Sequence, residues 1–444
     1  MLLGLVLVAA LVLPLAPVTG NGQVICDAES LQIPWIVAPG IAAIEGSLET
    51  NTPTRVVIGD RSGEIQLWDL SLGSLSFSQG LTAGNGLPAN VKGIWDVAAL
   101  DDEGTFLALV TYTHADGEYY GFMRSTDLGL TWSLIEPASL RDEQFKSVDA
   151  TNPGSYWRSP LYEMEWLDDG MHGWAWGVQG IVATTDGGAT WSINYRAMAT
   201  GNVGGGNYQP VWGLAMESPT KGVAAIGPIV GSGLRFTSDG GVTFPSTVKN
   251  LGQFRACDVE VINGQYRVIT FDPQIRRHLN NSFFHYGKHG VNWNNNPRLK
   301  DIETDSISWS TPSTNAIWTT PTIGFLVQHQ GEIWRTDDGG ADWRLIQLTD
   351  PGYDTVYYGD GFPVDGNGRP PFHPRTGYGQ RTIATHDDFG DPFLVHAISD
   401  SCYGRVRGYV PVWDVGSLLT SVPTEDPALL GISVIPNPTA ATCR

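Results

Sequence analysis

The residues best suited to chemistry are few, and they fall into three groups. Glu163 and Glu165, in Tyr162-Glu-Met-Glu-Trp166, are carboxylates of the kind used for acid and base work, although no partner acid stands at a recognisable spacing. Arginines and aromatic residues collect in Gly- and Pro-containing stretches: Arg141, Trp157 and Arg158 in 137–160, Arg196 and Tyr208 in 196–210, Arg369 and Arg375 in 350–377. Such groups above a cleft suit carboxylates or sugars, because guanidinium forks pair with carboxylates and aromatic faces line pockets. The third group is four aspartates in near-identical surroundings, Asp127, Asp186, Asp239 and Asp338. Other signals are missing. The chain holds no Gly-x-Ser-x-Gly and no His-Glu-x-x-His. Asp365-Gly-Asn-Gly368 lacks the further acidic ligands of a calcium loop and reads as a turn. Cys26, Cys257, Cys402 and Cys443 are wrongly spaced for zinc. The reading assigns no metal and no cofactor.

The aspartates point to the elements that must carry everything else. They sit in Ser125-Thr-Asp-Leu-Gly-Leu-Thr-Trp132, Thr184-Thr-Asp-Gly-Gly-Ala-Thr-Trp191, Thr237-Ser-Asp-Gly-Gly-Val-Thr-Phe244 and Thr336-Asp-Asp-Gly-Gly-Ala-Asp-Trp343. Each joins two β-prone runs, as Gly180-Ile-Val-Ala-Thr184 and Thr190-Trp-Ser-Ile193 illustrate. Asp-Gly between such runs is a hairpin signal. The carboxylate can accept backbone N–H groups ahead of it, and Gly supplies the positive φ that a side chain resists. The closing Trp or Phe offers an apolar face to the layer beneath. A device used several times is scaffolding, whereas an active site occurs once. The structural set is therefore Asp127, Gly129, Trp132, Asp186, Gly188, Trp191, Asp239, Gly241, Phe244, Asp338, Gly340 and Trp343.

These segments resemble the Asp-box, or BNR, repeat, Ser/Thr-x-Asp-x-Gly-x-Thr-Trp/Phe, over about residues 95–400. The stretches His172–Trp191 and Gly331–Gly340 look most like the photosystem II assembly-factor propellers. Sialidases and some xyloglucan hydrolases carry the same repeat. The resemblance implies an all-β fold, a single β-propeller. A sialidase would further need an arginine triad, a Tyr nucleophile with a Glu partner and an Arg-Ile-Pro motif; here Gln32-Ile-Pro34 lacks the Arg.

Spacing predicts seven four-stranded blades, with six or eight also compatible. One blade comprises Ile94–Leu100, Phe106–Tyr112, Tyr119–Arg124 and Thr131–Ile135. Copies follow over Leu161–Tyr195, Val211–Pro245, Phe254–Asn296 (box decayed, Lys288 replacing Asp), a unit ending at Trp343, and 353–398. The first hairpin, Arg55–Gly59 with Gly63–Asp69, is expected to pair with Tyr403–Trp413, so that the N- and C-terminal strands close the ring. That closure would bring Cys26 near Cys402, a disulfide candidate in an exported protein. Fifty-four glycines and 16 tryptophans suit tight turns and packed sheets.

Domain limits follow: 1–20 signal peptide, 21–415 propeller, 416–444 linker and start of a sorting domain. Residues 2–18 are apolar and uncharged, and Val18-Thr-Gly20 offers a cleavage site. A membrane anchor is the alternative, yet the run is short and contains Pro14 and Pro17. Leu430-Gly-Ile-Ser-Val-Ile-Pro-Asn-Pro-Thr439 resembles the opening of a type IX secretion sorting domain, cut short at Arg444; an ordinary Pro-containing tail is the plainer reading. The expected location is secreted or on a bacterial cell surface, with no integral membrane domain after signal removal.

The net charge of −20, with no Lys/Arg run beyond Arg276-Arg277, argues against nucleic acid. The expected function is a non-catalytic propeller binding a protein or carbohydrate at its loop face, as an assembly or adhesion factor. A divergent glycoside hydrolase of the sialidase-like superfamily, using Glu163 or Glu165, is the alternative.

Overall fold

The computed structural model describes residues 40–59, 63–71, 74–141, 161–197, 209–227, 233–245, 247–250, 255–262, 264–271, 283–288, 294–298, 316–318, 320, 322–327, 333–339, 344–347, 379–386, 392–399 and 412–414. These form seven sheets in chain order, antiparallel except where the short strand Gly86–Leu87 pairs parallel with Ser74–Ala83 in the first, joined by turns and one 3-10 turn at Ala138–Leu140. No α-helix occurs among the described residues. Strands follow one another in space as they do in sequence, so each sheet is a meander. The first-to-second and, where a fourth strand is described, third-to-fourth connections therefore emerge at one end of a sheet, the turn end. The second-to-third connection and the exit to the next sheet lie at the other, the loop end.

The second sheet contains Val91–Ala99, Phe106–His114, Gly117–Ser125 and Ser133–Ile135, close to the expected limits. The third contains Glu163–Trp166, Gly173–Gly177, Gly180–Thr184 and Ser192–Arg196. In the fourth, the outermost strand is Thr247–Asn250, starting beyond Pro245. Pro lacks the N–H that a ladder needs, so pairing begins after it.

One expectation is corrected. The first hairpin does not share a sheet with the last described strand. Thr54–Gly59 and Ile65–Ser71 are flanked by Gly40–Ile44 and Ser74–Ala83, which complete a sheet of their own. Val412–Asp414 pairs instead with Phe393, Leu394 and Val395 of Pro392–Ser399. With both edges of the first hairpin already occupied, no ladder positions remain for a C-terminal strand.

Neighbouring sheets pack face to face. Gly40 lies against the backbone of Asp96 and Val97, where a Cβ would clash. Gly213 lies against the Val259 side chain, linking the fourth sheet to the fifth. The Arg267 guanidinium stacks 3.7 Å from the Trp318 ring centroid, between the fifth sheet and the sixth. Ile383, in Gly379–His386, packs on the cluster Ile41, Val56, Ile58, Trp68 and Leu70 of the first sheet. The main core runs from Trp95 in the second sheet to Val268 in the fifth. Its apolar area is the dominant stabilising term, since apolar burial contributes about 25 cal/mol per Å².

The Asp turns fix the turn end. Asp186 Oδ1 accepts the Thr190 N–H at 2.8 Å and the Thr184 hydroxyl at 2.7 Å, while Oδ2 accepts the Thr190 hydroxyl at 2.5 Å. The Thr184 hydroxyl oxygen accepts the Gly188 N–H at 3.0 Å, and Trp191 Nε1 donates to the Gly188 carbonyl at 3.0 Å. Asp127 and Asp239 repeat this pattern with Ser125 and Thr131, and with Thr237 and Thr243. Asp338 accepts the Thr336 hydroxyl at 2.8 Å; Gly340 and Trp343 lie outside the described residues. Gly188 has φ +83, a left-handed conformation that favours glycine. The turns also bind the preceding sheet. Trp174 Nε1 and Asn194 Nδ2 both donate to the Gly240 carbonyl at 2.9 Å, and Arg124 donates to that of Gly187 at 3.4 Å.

Candidate functional site

Two places carry the polar chemistry: the innermost strands and the loop end. On the innermost strands the carboxylates are engaged with the next sheet. Asp96 interrupts the apolar run Ile94-Trp-Asp-Val-Ala98 and is buried. Its Oδ1 accepts the Val97 N–H at 2.9 Å and its Oδ2 accepts the Met164 N–H at 2.7 Å, across to the third sheet. Glu165 does the same one sheet further on, where its two oxygens receive the Met216 N–H at 3.2 and 3.1 Å. Glu163 is half-buried on the same strand, opposite Trp176. Asp96 was missed in the sequence; a lone carboxylate inside an apolar strand was the available signal.

At the loop end of the second sheet, four polar side chains form two pairs. Arg141 donates to Glu136 Oε2 at 2.7 Å. His114 Nδ1 lies 2.5 Å from Asp116 Oδ1, and this contact holds the Asp116 carboxyl below its usual range. The Tyr119 ring meets the His114 ring edge-on at 6.1 Å. Burial pushes the Tyr112 phenol up, with the nearby Arg141 guanidinium acting against it. Between the third and fourth sheets, Arg235 donates to Gln209 Oε1 at 3.0 Å. Burial likewise raises the Tyr195 phenol, opposed by Arg235. Arg196 is exposed at the end of its strand, opposite Gly180. Tyr112 and Tyr119 are buried beneath this rim, and Arg141 and Arg196 stand exposed on it, guanidinium groups of the kind that pair with carboxylates.

Of the residues singled out in the sequence, the structure brings Arg141 and Arg196 to the loop end and puts Glu163 and Glu165 on an innermost strand. Trp157, Arg158, Tyr208, Arg369 and Arg375 lie outside the described residues, as do Cys26 and Cys402. Tyr112, His114, Asp116, Tyr119 and Glu136 were not anticipated. Among the described residues no group of three or more His, Cys, Asp or Glu is disposed to hold a metal. No helix among them is long and apolar enough to cross a membrane.

Successive meanders packed face to face, four-stranded in the second to sixth sheets, with polar rims at their ends, define a β-propeller. Among solved structures, the chain is similar to the GH74 xyloglucanase from Xanthomonas campestris, at 14% identity and a TM-score of 0.52. The match covers 85% of this chain and 52% of that one, so the chain spans about half the xyloglucanase's length. At that identity the likeness shows the fold alone. Weaker likenesses are YCF48 bound to D1 peptide (14% identity, 73% of this chain and 84% of that one, TM-score 0.44) and YCF48 from Cyanidioschyzon merolae (13%, 82% and 95%, 0.44). No protein-family model matches the chain, and no curated protein matches it in sequence.

Proposed function

We propose that the protein is an exported, non-catalytic propeller of seven blades, built on Asp-box turns, that binds a protein or glycan partner through its loop face. One observation carries the binding reading: the Glu165 carboxylate is spent on the Met216 N–H of the adjacent sheet. A group held by a buried backbone donor is poorly placed to shuttle protons, because each transfer would break that bond. The loop end supplies the exposed Arg141 and Arg196 for recognition instead. Seven blades are supported by seven sheets in sequence and by Ile383 packing on the first of them. Export is supported by the apolar run 2–18 and the Val18-Thr-Gly20 site. N-terminal sequencing of the mature protein should begin at Asn21; an intact Met1 would count against export.

A glycoside hydrolase is the second reading, favoured by Glu163, a half-buried carboxylate two residues from Glu165 on an innermost strand. One experiment separates the two. The purified protein and Glu163→Gln are assayed on xyloglucan, β-glucans and sialosides, and for binding to a glycan array. Binding without turnover supports the first reading. Turnover abolished by the substitution establishes the second.

A further inference from the structure

The end opposite the loops carries its own set of exposed side chains. The two turns touch in the second, third and fourth sheets: Leu128 N–H donates to Gly104 O at 3.0 Å, Gly187 to Met171 at 3.0 Å, and Gly240 to Thr220 at 3.0 Å. Consecutive sheets meet there as well, with Gly170 against the Leu100 carbonyl and Gly264 against the Glu217 carboxylate. The turns of the second to fifth sheets thus share one end, and the first sheet is aligned with them, because Gly63 at its loop end lies against the Lys92 carbonyl at the loop end of the second. On it stand Leu48, Leu130, Met171 and Val242, one from each of the first four sheets, exposed by 52, 45, 48 and 48%. The fifth exposed large apolar residue among those described, Phe77, is on Ser74–Ala83, the fourth strand of the first sheet.

The turns do not need these side chains. Leu130 and Val242 follow the turn glycine, and Ala189 fills that position in the third sheet with the same hydrogen bonds around it. Aliphatic bulk there has a use outside the turn. The surroundings are acidic: Glu49, Asp102, Glu103, Asp168, Asp169 and Glu217 lie in the same connections. Lys221 is the one lysine or arginine among the described residues of those connections. Burial resists ionisation of Asp101, Asp127, Asp169, Asp186 and Asp239, yet their backbone and side-chain donors hold all five below the ordinary range. The face stays charged in mildly acidic surroundings.

We propose that this turn face docks a cationic protein segment carrying spaced aliphatic side chains. Four apolar residues within a field of one sign select that chemistry. A second copy of a chain of net charge −20 would be repelled, as would a phosphate backbone. A neutral glycan prefers aromatic platforms to Leu, Met and Val.

The test uses the full chain and three labelled peptides of equal length: one of Lys and Leu, one with each Leu replaced by Ser, and one with each Lys replaced by Glu. Fluorescence anisotropy at low and high salt reads affinity. The Lys/Leu peptide should bind about tenfold tighter than the Lys/Ser peptide, the equivalent of one or two buried aliphatic groups. Its affinity should fall with salt, and the Glu/Leu peptide should fail to bind. The triple variant Leu130→Ser, Met171→Ser, Val242→Ser, checked for an unchanged melting temperature, should lose that tenfold advantage and leave Lys/Ser binding alone. Asp102→Lys with Glu103→Lys should weaken both cationic peptides. Equal binding of the Lys/Leu peptide by the parent protein and the triple variant would overturn the proposal, as would no binding by the parent.

Discussion

Asp96 illustrates how much a single buried carboxylate does in this fold. It satisfies its own strand at Val97 and reaches the next sheet at Met164. Replacement by Ala would leave the Met164 N–H without its charged acceptor, and we expect Asp96→Ala to cost about 2–3 kcal/mol in urea unfolding. Asp102→Ala, on an exposed turn, should change stability by less than about 0.5 kcal/mol. The turn aspartates give a pH signature. Asp127, Asp186 and Asp239 are depressed, because their donors outweigh the burial that would raise them. Their contribution is therefore complete above the unfolded carboxylate pKa of about 3.9 and is lost as pH falls through the lower folded values. Equilibrium unfolding below about pH 4 should show a shallower loss of stability for Asp186→Asn than for the parent. The turn aspartates were legible in the sequence because every partner lies within four residues. The partner of Asp96 is 68 residues away and that of Glu165 is 51, so neither link could be read from spacing.

Between elements, the aromatic that closes each turn is the principal fastener. The Trp191 ring stacks on Phe122 of the preceding sheet at 3.8 Å and 6°, and meets Trp166 edge-on at 5.9 Å. Trp191→Ala should cost about 3–5 kcal/mol in chemical denaturation, the range for emptying a large aromatic site. Trp191→Phe should cost less, since Phe244 holds the equivalent place in the fourth sheet without an indole N–H. Where this fastener is spelled out, in the second to fourth sheets, strand limits were readable to within a few residues. The first sheet was not. The strands flanking its hairpin, Gly-Ile-Ala-Ala-Ile and Ser-Leu-Ser-Phe-Ser-Gln-Gly-Leu-Thr-Ala, are rich in Gly, Ala and Ser, and no Asp-Gly turn announces them. Missing them made the first hairpin look like half a sheet in need of a partner.

For the whole molecule, the contact of Ile383 with Ile41, Val56, Ile58, Trp68 and Leu70 joins the last described sheet to the first. Ile383→Ser should destabilise by about 1–2 kcal/mol, less than a fully buried site, because Ile383 is only partly covered. The same substitution should red-shift Trp68 fluorescence if the contact seals that ring from water; an unchanged spectrum would deny the seal. The bonds between sheets have one further consequence. Trp174 and Asn194 reach forward to the Gly240 carbonyl, and Arg124 reaches forward to Gly187, so the third sheet carries a plug on its body and a socket on its turn. Gene duplication that copies a whole meander, cut at the loop end, transmits plug and socket together and yields an extra unit ready to dock. A cut through the turn would orphan both halves, so the natural seam for adding or losing repeats runs through the loops.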